Sequence, residues 1–102
     1  MLVKKQKNTE VIIDSNCKID KTVKFIGQSV IGKNCIIGKN VVIDKGTVIG
    51  DDVQIQDNAI IKDSVIFNKT VVCKQTRLYS SIIGTKVPSK LSVYNGLLFN
   101  IK

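Results

Sequence analysis

The chain has 102 residues, a formal net charge of +8 and no histidine. This length suits one domain, and 43% hydrophobic with 24% charged residues is typical of a globular protein. No apolar run reaches the roughly 20 residues that cross a bilayer, and the first residues lack the apolar stretch of a signal peptide. We therefore expect a cytoplasmic protein without a membrane partner.

The absence of histidine excludes several kinds of site. It removes Ser-His and Cys-His nucleophiles, His-ligated metals and histidine as a general base. The three cysteines, Cys17, Cys35 and Cys73, are odd in number and lack CxxC spacing, so they predict neither a disulfide framework nor a zinc site. We predict no catalytic residue, no cofactor site and no metal site in the chain.

The charge is unevenly distributed along the chain. Asp63 is the last acidic residue, and every charged residue after it is basic. Nucleic-acid binding usually combines such cations with aromatic side chains, but the chain has only two Tyr, three Phe and no Trp. We therefore expect no nucleic-acid partner, and a basic end that aids solubility or faces another protein.

A large apolar residue recurs at every sixth position. The first position of the unit is occupied by Ile13, Ile19, Phe25, Ile31, Ile37, Ile43, Ile49, Ile55 and Ile61. Position 5 is small or β-branched, and position 4 is mostly Asn, Gly or Asp, which tolerate positive φ and mark turns. The pattern predicts a short strand at positions 5, 6, 1 and 2, with 5 and 1 pointing inward. Three strands make a coil of about 18 residues, and stacked coils make a parallel β-helix.

The period slips after residue 61. With one residue missing at two corners, position 1 continues through Ile66, Val72, Leu78 and Ile83, and position 5 through Val65, Thr70, Thr76, Ile82 and Val87. Pro88, which cannot donate to a ladder, ends the pattern. We therefore predict a lead-in at 1–10, a β-helix at 11–88 and a capping segment at 89–102.

Stacking places residues of successive coils over one another. At position 3, Lys33, Lys39 and Lys45 of one coil are followed by Asp51, Asp57 and Asp63 of the next, which predicts ion pairs at all three corners. Cys17 and Cys35 share position 5 and are expected to stack inside the helix as reduced thiols.

Three segments carry a family resemblance: IGQSVIGKNCIIGKN (26–40), DSVI (63–66) and SSIIG (80–84). They resemble the C-terminal domain of sugar-1-phosphate nucleotidylyltransferases of the mannose-1-phosphate guanylyltransferase and glucose-1-phosphate adenylyltransferase type. The resemblance implies an all-β, left-handed parallel β-helix of four to five triangular coils that serves oligomerisation or regulation. The chain departs from that family because it has no GxGxR-type nucleotide loop, so no catalytic residue is carried over.

The expected function is therefore that of a non-catalytic module for oligomerisation or partner docking in nucleotide-sugar metabolism. The alternative is an enzyme of the hexapeptide acyltransferase or nucleotidylyltransferase type that acts with residues from another chain. The acyltransferases use a histidine base and the γ-class carbonic anhydrases use three histidine ligands, which this chain lacks. Cys73, expected to point outward, is the only conceivable nucleophile and has no activating partner in the pattern.

One outward face of the predicted prism carries no charge. Its residues are Val30, Gly32, Val48, Gly50, Phe67 and Gly84. An uncharged strip along a whole face usually meets another surface, and glycines allow close backbone approach. We expect a homo-oligomer, with a trimer favoured over a dimer, or docking of a separate catalytic nucleotidylyltransferase chain or domain.

Overall fold

The structure, a computed structural model, describes the backbone of residues 2–6 and 9–99 and the side chains of residues 10–99. These residues form strands, turns and bends, and none of their segments is a helix that could cross a bilayer. The strands are β1 (Leu2–Gln6), β2 (Thr9–Ile13), β3 (Lys18–Ile19), β4 (Lys24–Ile26), β5 (Ser29–Ile31), β6 (Ile36–Ile37), β7 (Val42–Asp44), β8 (Thr47–Ile49), β9 (Gln54–Ile55), β10 (Ile60–Lys62), β11 (Val65–Ile66), β12 (Val71–Val72), β13 (Arg77–Tyr79), β14 (Ile82–Gly84), β15 (Ser92–Tyr94) and β16 (Leu97–Phe99).

The strands stack into three sheets around one core. Sheet 1 has the order β1-β2-β5-β8-β11-β14-β16, sheet 2 the order β3-β6-β9-β12, and sheet 3 the order β4-β7-β10-β13-β15. All pairs are parallel except β1 with β2, because each strand pairs with the strand one coil away. This is the all-β, parallel β-helix that the sequence predicts, with about five turns.

The six-residue repeat builds the core as three ladders of stacked side chains. The paired position 1 residues are Ile13-Ile31-Ile49-Ile66-Ile83-Leu98 in sheet 1, Ile19-Ile37-Ile55-Val72-Val87 in sheet 2, and Phe25-Ile43-Ile61-Leu78-Val93 in sheet 3. Most of these side chains are at most 3% exposed. Their burial is the main favourable term for a fold with such short strands.

The corners bend where the sequence predicts them. Positive φ angles are found at Asn16, Asn34, Asn40, Gly46, Asp52 and Asn58, all at position 4 of the repeat. Two corners bend a residue early, at Gly27 instead of Gln28 and at Asp63 instead of Ser64. At these corners the residue with positive φ is mostly Asn, Asp or Gly, which tolerate this conformation, whereas later corners place Lys69, Gln75 and Lys90 in it.

The interior assignment after the slip needs a correction. Ser64 and Ser81 point inward at position 5, not Val65 and Ile82, and Val87 lies in a position 1 column. At the shortened corner a serine hydroxyl takes part in the hydrogen bonding between coils. The Ser64 hydroxyl accepts the N–H of Ser81 at 3.1 Å and donates to a carbonyl at 2.8 Å.

The parallel ladders also continue past Pro88, contrary to the expected end of the pattern. Strands β15 and β16, in segment 89–102, pair with β13 and β14. Ile82 pairs with Leu97, fifteen residues later, so the last coil is shorter than the others. The segment thus covers the core by adding one more partial coil. Within the lead-in 1–10, β1 pairs antiparallel with β2 and forms the first edge of sheet 1.

Candidate functional site

The outer surface of sheet 1, from the second coil onward, is the candidate site and is called the uncharged face below. Its outward residues are Val30, Gly32, Val48, Gly50, Val65, Phe67, Ile82, Gly84, Leu97 and Phe99. They alternate with core residues because successive side chains of a strand point to opposite sides of the sheet. The structure therefore brings together all six residues that the sequence predicts for the interface.

The apolar side chains of this face are open to solvent. Val48 is 43% exposed, Phe67 47% and Leu97 68%. Single exposed apolar residues are ordinary, but these follow one another from the second coil to the last on one sheet. A contiguous apolar surface without charge is the usual mark of a site that contacts another molecule.

Sequence reasoning missed the last part of this face. Ile82, Leu97 and Phe99 are 41%, 68% and 38% exposed and extend the strip by one coil. Ile82 was missed because the slipped frame placed it inside, and the other two because the pattern was expected to end at Pro88. The two serines in SSIIG (80–84) could have indicated that Ser81, and not Ile82, points inward. A small polar side chain fits the shortened corner better than the branched side chain of Ile82.

An aromatic pair closes the C-terminal part of the face. The rings of Phe67 and Phe99 meet edge to face with centroids 5.1 Å apart. Phe99 also lies over Gly84, where a Cβ atom would overlap its ring. A depression of about 490 Å³ begins beside Phe67 and Gly84 and runs along Val48 and Gly50. The surface of the face is therefore uneven, with the aromatic rings protruding and the glycines lining a depression.

The glycines of the face have a role inside the chain. A Cβ atom on Gly32 would lie 2.5 Å from the carbonyl oxygen of Gly50. A Cβ atom on Gly50 would in turn overlap the side-chain oxygen of Asn68. Contact between successive coils therefore requires glycine here, independently of any close approach by a partner.

The other two faces carry charge. Sheet 3 presents Lys24, Lys62 and Arg77 on its outer side, and sheet 2 presents Lys18 and Asp20. Isolated apolar side chains also occur on them, such as Ile36, which is 47% exposed. The uncharged face is therefore distinct from its neighbours in charge more than in exposure.

One corner of the prism forms a depression. A depression of about 560 Å³ between sheets 3 and 1 is lined by Lys45, Lys62, Asp63 and Ser80 among others. Its cations and carboxylate lie at an open surface, and the described residues include no cluster of three or more side chains suited to hold a metal ion.

The thiols lie inside or at the edge of the core. Cys17 and Cys35 donate to the carbonyl oxygens of Gly32 and Gly50 at 3.0 and 3.1 Å, which places them in equivalent positions of successive coils. Burial raises the pKa of Cys35 to about 11, so the thiol stays protonated at neutral pH. Cys73 is only 8% exposed, although it follows the inward Val72 and does not belong to the core cluster. A buried thiol lacks the access that a nucleophile needs.

Comparison with known proteins agrees with the resemblance read from the sequence. The family model described as the GMPPB C-terminal domain matches residues 27–93. A search of curated proteins found no match. The matched region runs from the second coil to strand β15 and includes most of the core ladders. The chain thus belongs to the family of the GMPPB C-terminal domain, a C-terminal β-helix of the sugar nucleotidylyltransferase type.

Proposed function

We propose that this chain is a non-catalytic β-helix module that assembles identical subunits through its uncharged face, in a cytoplasmic protein of nucleotide-sugar metabolism. The observation that carries the proposal is the run of uncharged residues from Val30 to Phe99 on the outer side of sheet 1, most of whose apolar side chains are exposed. The family membership supports the link to nucleotidylyltransferases.

The charge of the chain favours a second copy as the occupant. Two molecules of net charge +8 repel each other, and this repulsion is smallest where neither surface carries a cation. The uncharged face provides such a surface, whereas sheets 2 and 3 would set lysines such as Lys18 and Lys24 against each other.

The size of the molecule also fits this partner. The Cα envelope measures 38 × 23 × 20 Å. One long side is therefore close to the roughly 800 Å² per partner of a standard protein interface. Cyclic symmetry with the axis along the prisms would bury the strip between neighbours, so we favour a trimer and place a dimer second.

A charge placed on the face tests the proposal. Val48→Lys puts an unpaired cation in the centre of the contact, and we expect the mass measured by light scattering to fall threefold for a trimer or twofold for a dimer. Ile36→Lys is the matched control, because Ile36 is similarly exposed, at 47% against 43% for Val48, but lies on sheet 2.

The same experiment distinguishes assembly through the uncharged face from assembly through another face and from a monomeric protein. If Ile36→Lys or Val42→Lys dissociates the assembly while Val48→Lys leaves its mass unchanged, another face forms the contact. A wild-type chain that stays monomeric at high concentration would contradict self-assembly. In that event, docking on a catalytic nucleotidylyltransferase chain or domain becomes the use of the face to test.

A further inference from the structure

The coils after residue 63 carry positive charge only. Asp63 is the last acidic residue of the sequence, and the cations that follow it within the described side chains are Lys69, Lys74, Arg77, Lys86 and Lys90. All five are exposed. Cations spread over a surface aid solubility, whereas cations gathered at one place create a local positive potential that attracts acidic molecules. The positions of these residues in the fold therefore distinguish the two roles.

Four of these cations meet at the corner between sheets 2 and 3. Lys86 precedes the inward Val87, which bridges to β12, so Lys86 lies on the outer side of sheet 2. The N–H of Lys90 donates to the carbonyl oxygen of Lys74 at 3.0 Å, which places these two residues in the same bend of successive coils. Arg77 begins β13 on the other side of this bend. Lys74, Arg77, Lys86 and Lys90 are called the basic corner below.

The carboxylate closest to the basic corner in the coil order faces the other way. Asp57 occupies the same bend one coil before Lys74. Its Oδ1 atom accepts the N–H of Lys39 at 2.8 Å, so this carboxylate faces the preceding coil. Lys69 is not counted with the basic corner, because it lies at the corner between sheets 1 and 2, in the bend that Asp52 occupies one coil earlier.

In the first coils the same corner carries both signs of charge. Lys21 and Lys39 lie in this bend, and Asp20 precedes it in the first coil. The pKa of Asp20 is lowered, chiefly by hydrogen bonds from Thr22 and to a smaller degree by the charges of Lys39 and Lys21. An ionised carboxylate beside both lysines offsets part of their charge. The positive potential of this corner is therefore concentrated in the C-terminal coils.

The basic corner also points away from the uncharged face. The chain passes through sheets 1, 2 and 3 in turn around one core, so the corner between sheets 2 and 3 lies opposite sheet 1. Copies in contact through sheet 1 would each display a basic corner on the outside of the assembly. The corner is equally open on a single copy, so its use does not rest on the proposed function.

We infer that the basic corner docks an acidic segment, rich in Asp and Glu, of a different protein chain. A second copy of this chain, with its net charge of +8, would be repelled from the corner. Neighbouring coils are about 4.8 Å apart, so cations of two coils can contact carboxylates of one extended segment. Exposed charges of this kind speed the encounter with a partner and select it by charge.

The surroundings of the corner favour a protein partner over a nucleic acid. Single-stranded nucleic acid is usually held by cations that alternate with aromatic rings on which the bases stack. Tyr79 follows Arg77 on β13, but its ring is stacked on Tyr94 with centroids 5.1 Å apart, which occupies one of its faces. The three Phe side chains lie in the core or on sheet 1. The cations of the corner are therefore arranged for carboxylates and not for bases.

Charge reversal at matched positions tests the inference. Lys74→Glu/Lys86→Glu alters the basic corner, and Lys18→Glu/Lys21→Glu makes the same change of net charge on sheet 2 and its bend in the first coil. The probe is a fluorescent peptide of alternating glutamate and serine, followed by anisotropy at low salt. We expect the dissociation constant to rise about tenfold in the first variant and about twofold or less in the second. Binding to the wild type should weaken as the ionic strength rises.

Three results would overturn the inference. Equal weakening in the two variants would mean that net charge alone attracts the peptide. Absence of peptide binding by the wild type at low salt would show that the corner has no such affinity. Tighter binding of polyuridylic acid than of the peptide would assign the corner to nucleic acid. Val48→Lys should bind the peptide as the wild type does, so the mass of that variant judges the uncharged face independently.

Acetylation of the wild-type protein decides the matter if Lys74→Glu/Lys86→Glu does not fold. Bound peptide is expected to slow the acetylation of Lys74, Lys86 and Lys90, and to leave that of Lys18 and Lys21 unchanged, because only the first three ammonium groups contact its carboxylates. Mass spectrometry of the digested protein measures the modification of each lysine. Equal protection of all five lysines would overturn the inference.

Discussion

The Oδ1 atom of Asp57 accepts a hydrogen bond of 2.8 Å from the backbone N–H of Lys39, eighteen residues earlier. Asp51 bonds the N–H of Lys33 in the same way at 2.9 Å. The sequence predicts these lysines and aspartates as ion pairs, but the contact runs to the backbone of the lysine and not to its ammonium group. The acidic residue thus satisfies a donor that the bend leaves unpaired, and it fixes the stacking of two coils at the corner.

Loss of this acceptor should lower stability modestly. We expect Asp57→Ala to reduce the free energy of unfolding by about 1 kcal/mol, the usual net value of one hydrogen bond. Asp57→Asn is the control, because Asn68 makes the equivalent bond to the N–H of Asp51 at 2.8 Å. Urea titration of the three proteins measures the effect. Equal losses in both variants would mean that charge, and not the acceptor, matters.

Two adjacent isoleucines test the inward assignment of position 1. Ile37 is 2% exposed and Ile36 is 47% exposed, although both lie in β6. Ile37→Ala should lower the free energy of unfolding by about 2–5 kcal/mol, because it leaves a cavity in a column of close-packed side chains. Ile36→Ala should change it by about 0.5 kcal/mol or less. Similar melting temperatures for the two variants would contradict the frame of the repeat.

The substitution Gly32→Ala tests whether this glycine is needed for packing between coils, independently of any role in assembly. Its Cβ would lie 2.5 Å from the carbonyl oxygen and 2.6 Å from the carbonyl carbon of Gly50, and backbone atoms cannot move aside easily. We expect Gly32→Ala to lower the melting temperature of the protein, even at concentrations where it is dissociated. Val48→Lys, on the same face, should change the mass with little change in the melting temperature of the dissociated chain. A Gly32→Ala variant that melts like wild type would show that the coils have room for a side chain.

The raised pKa of Cys35 predicts a loss of stability in alkali. Burial, the largest cause, raises the pKa from 9.0 to about 11, so the folded protein holds this proton more tightly than the unfolded chain does. The stabilising contribution is complete below pH 9 and disappears as the pH rises towards 11. Cys35→Ala should remove this part of the pH dependence, measured as the difference between the urea midpoints of the two proteins at pH 8 and pH 10.5. Parallel curves for the two proteins would contradict the prediction.

The sequence by itself determined the fold of the coils. A six-residue period defines strand, bend and inward position at once, because each inward residue packs directly on the equivalent residue of the next coil. The columns from Ile13 to Ile83 and the turns at Asn34 and Asn58 could therefore be predicted by counting. The charge pattern of the outward positions likewise identified Val30, Val48 and Phe67 as one surface.

Only the tertiary structure decided what happens where the period breaks. A shortened corner can be placed at either of two neighbouring residues. In the structure Ser81 is the inward side chain, where its hydroxyl accepts the N–H of Gly96 at 3.0 Å, and Ile82 is 41% exposed. The last coil was likewise hidden, because its pairing depends on the strands beneath it and not on its own spacing. Within the regular coils the six-residue period is enough to predict which residues point inward, because every coil repeats the same contacts. At the slip and at the last coil, several conformations fit the local sequence equally well, and contacts with the neighbouring coil select one of them.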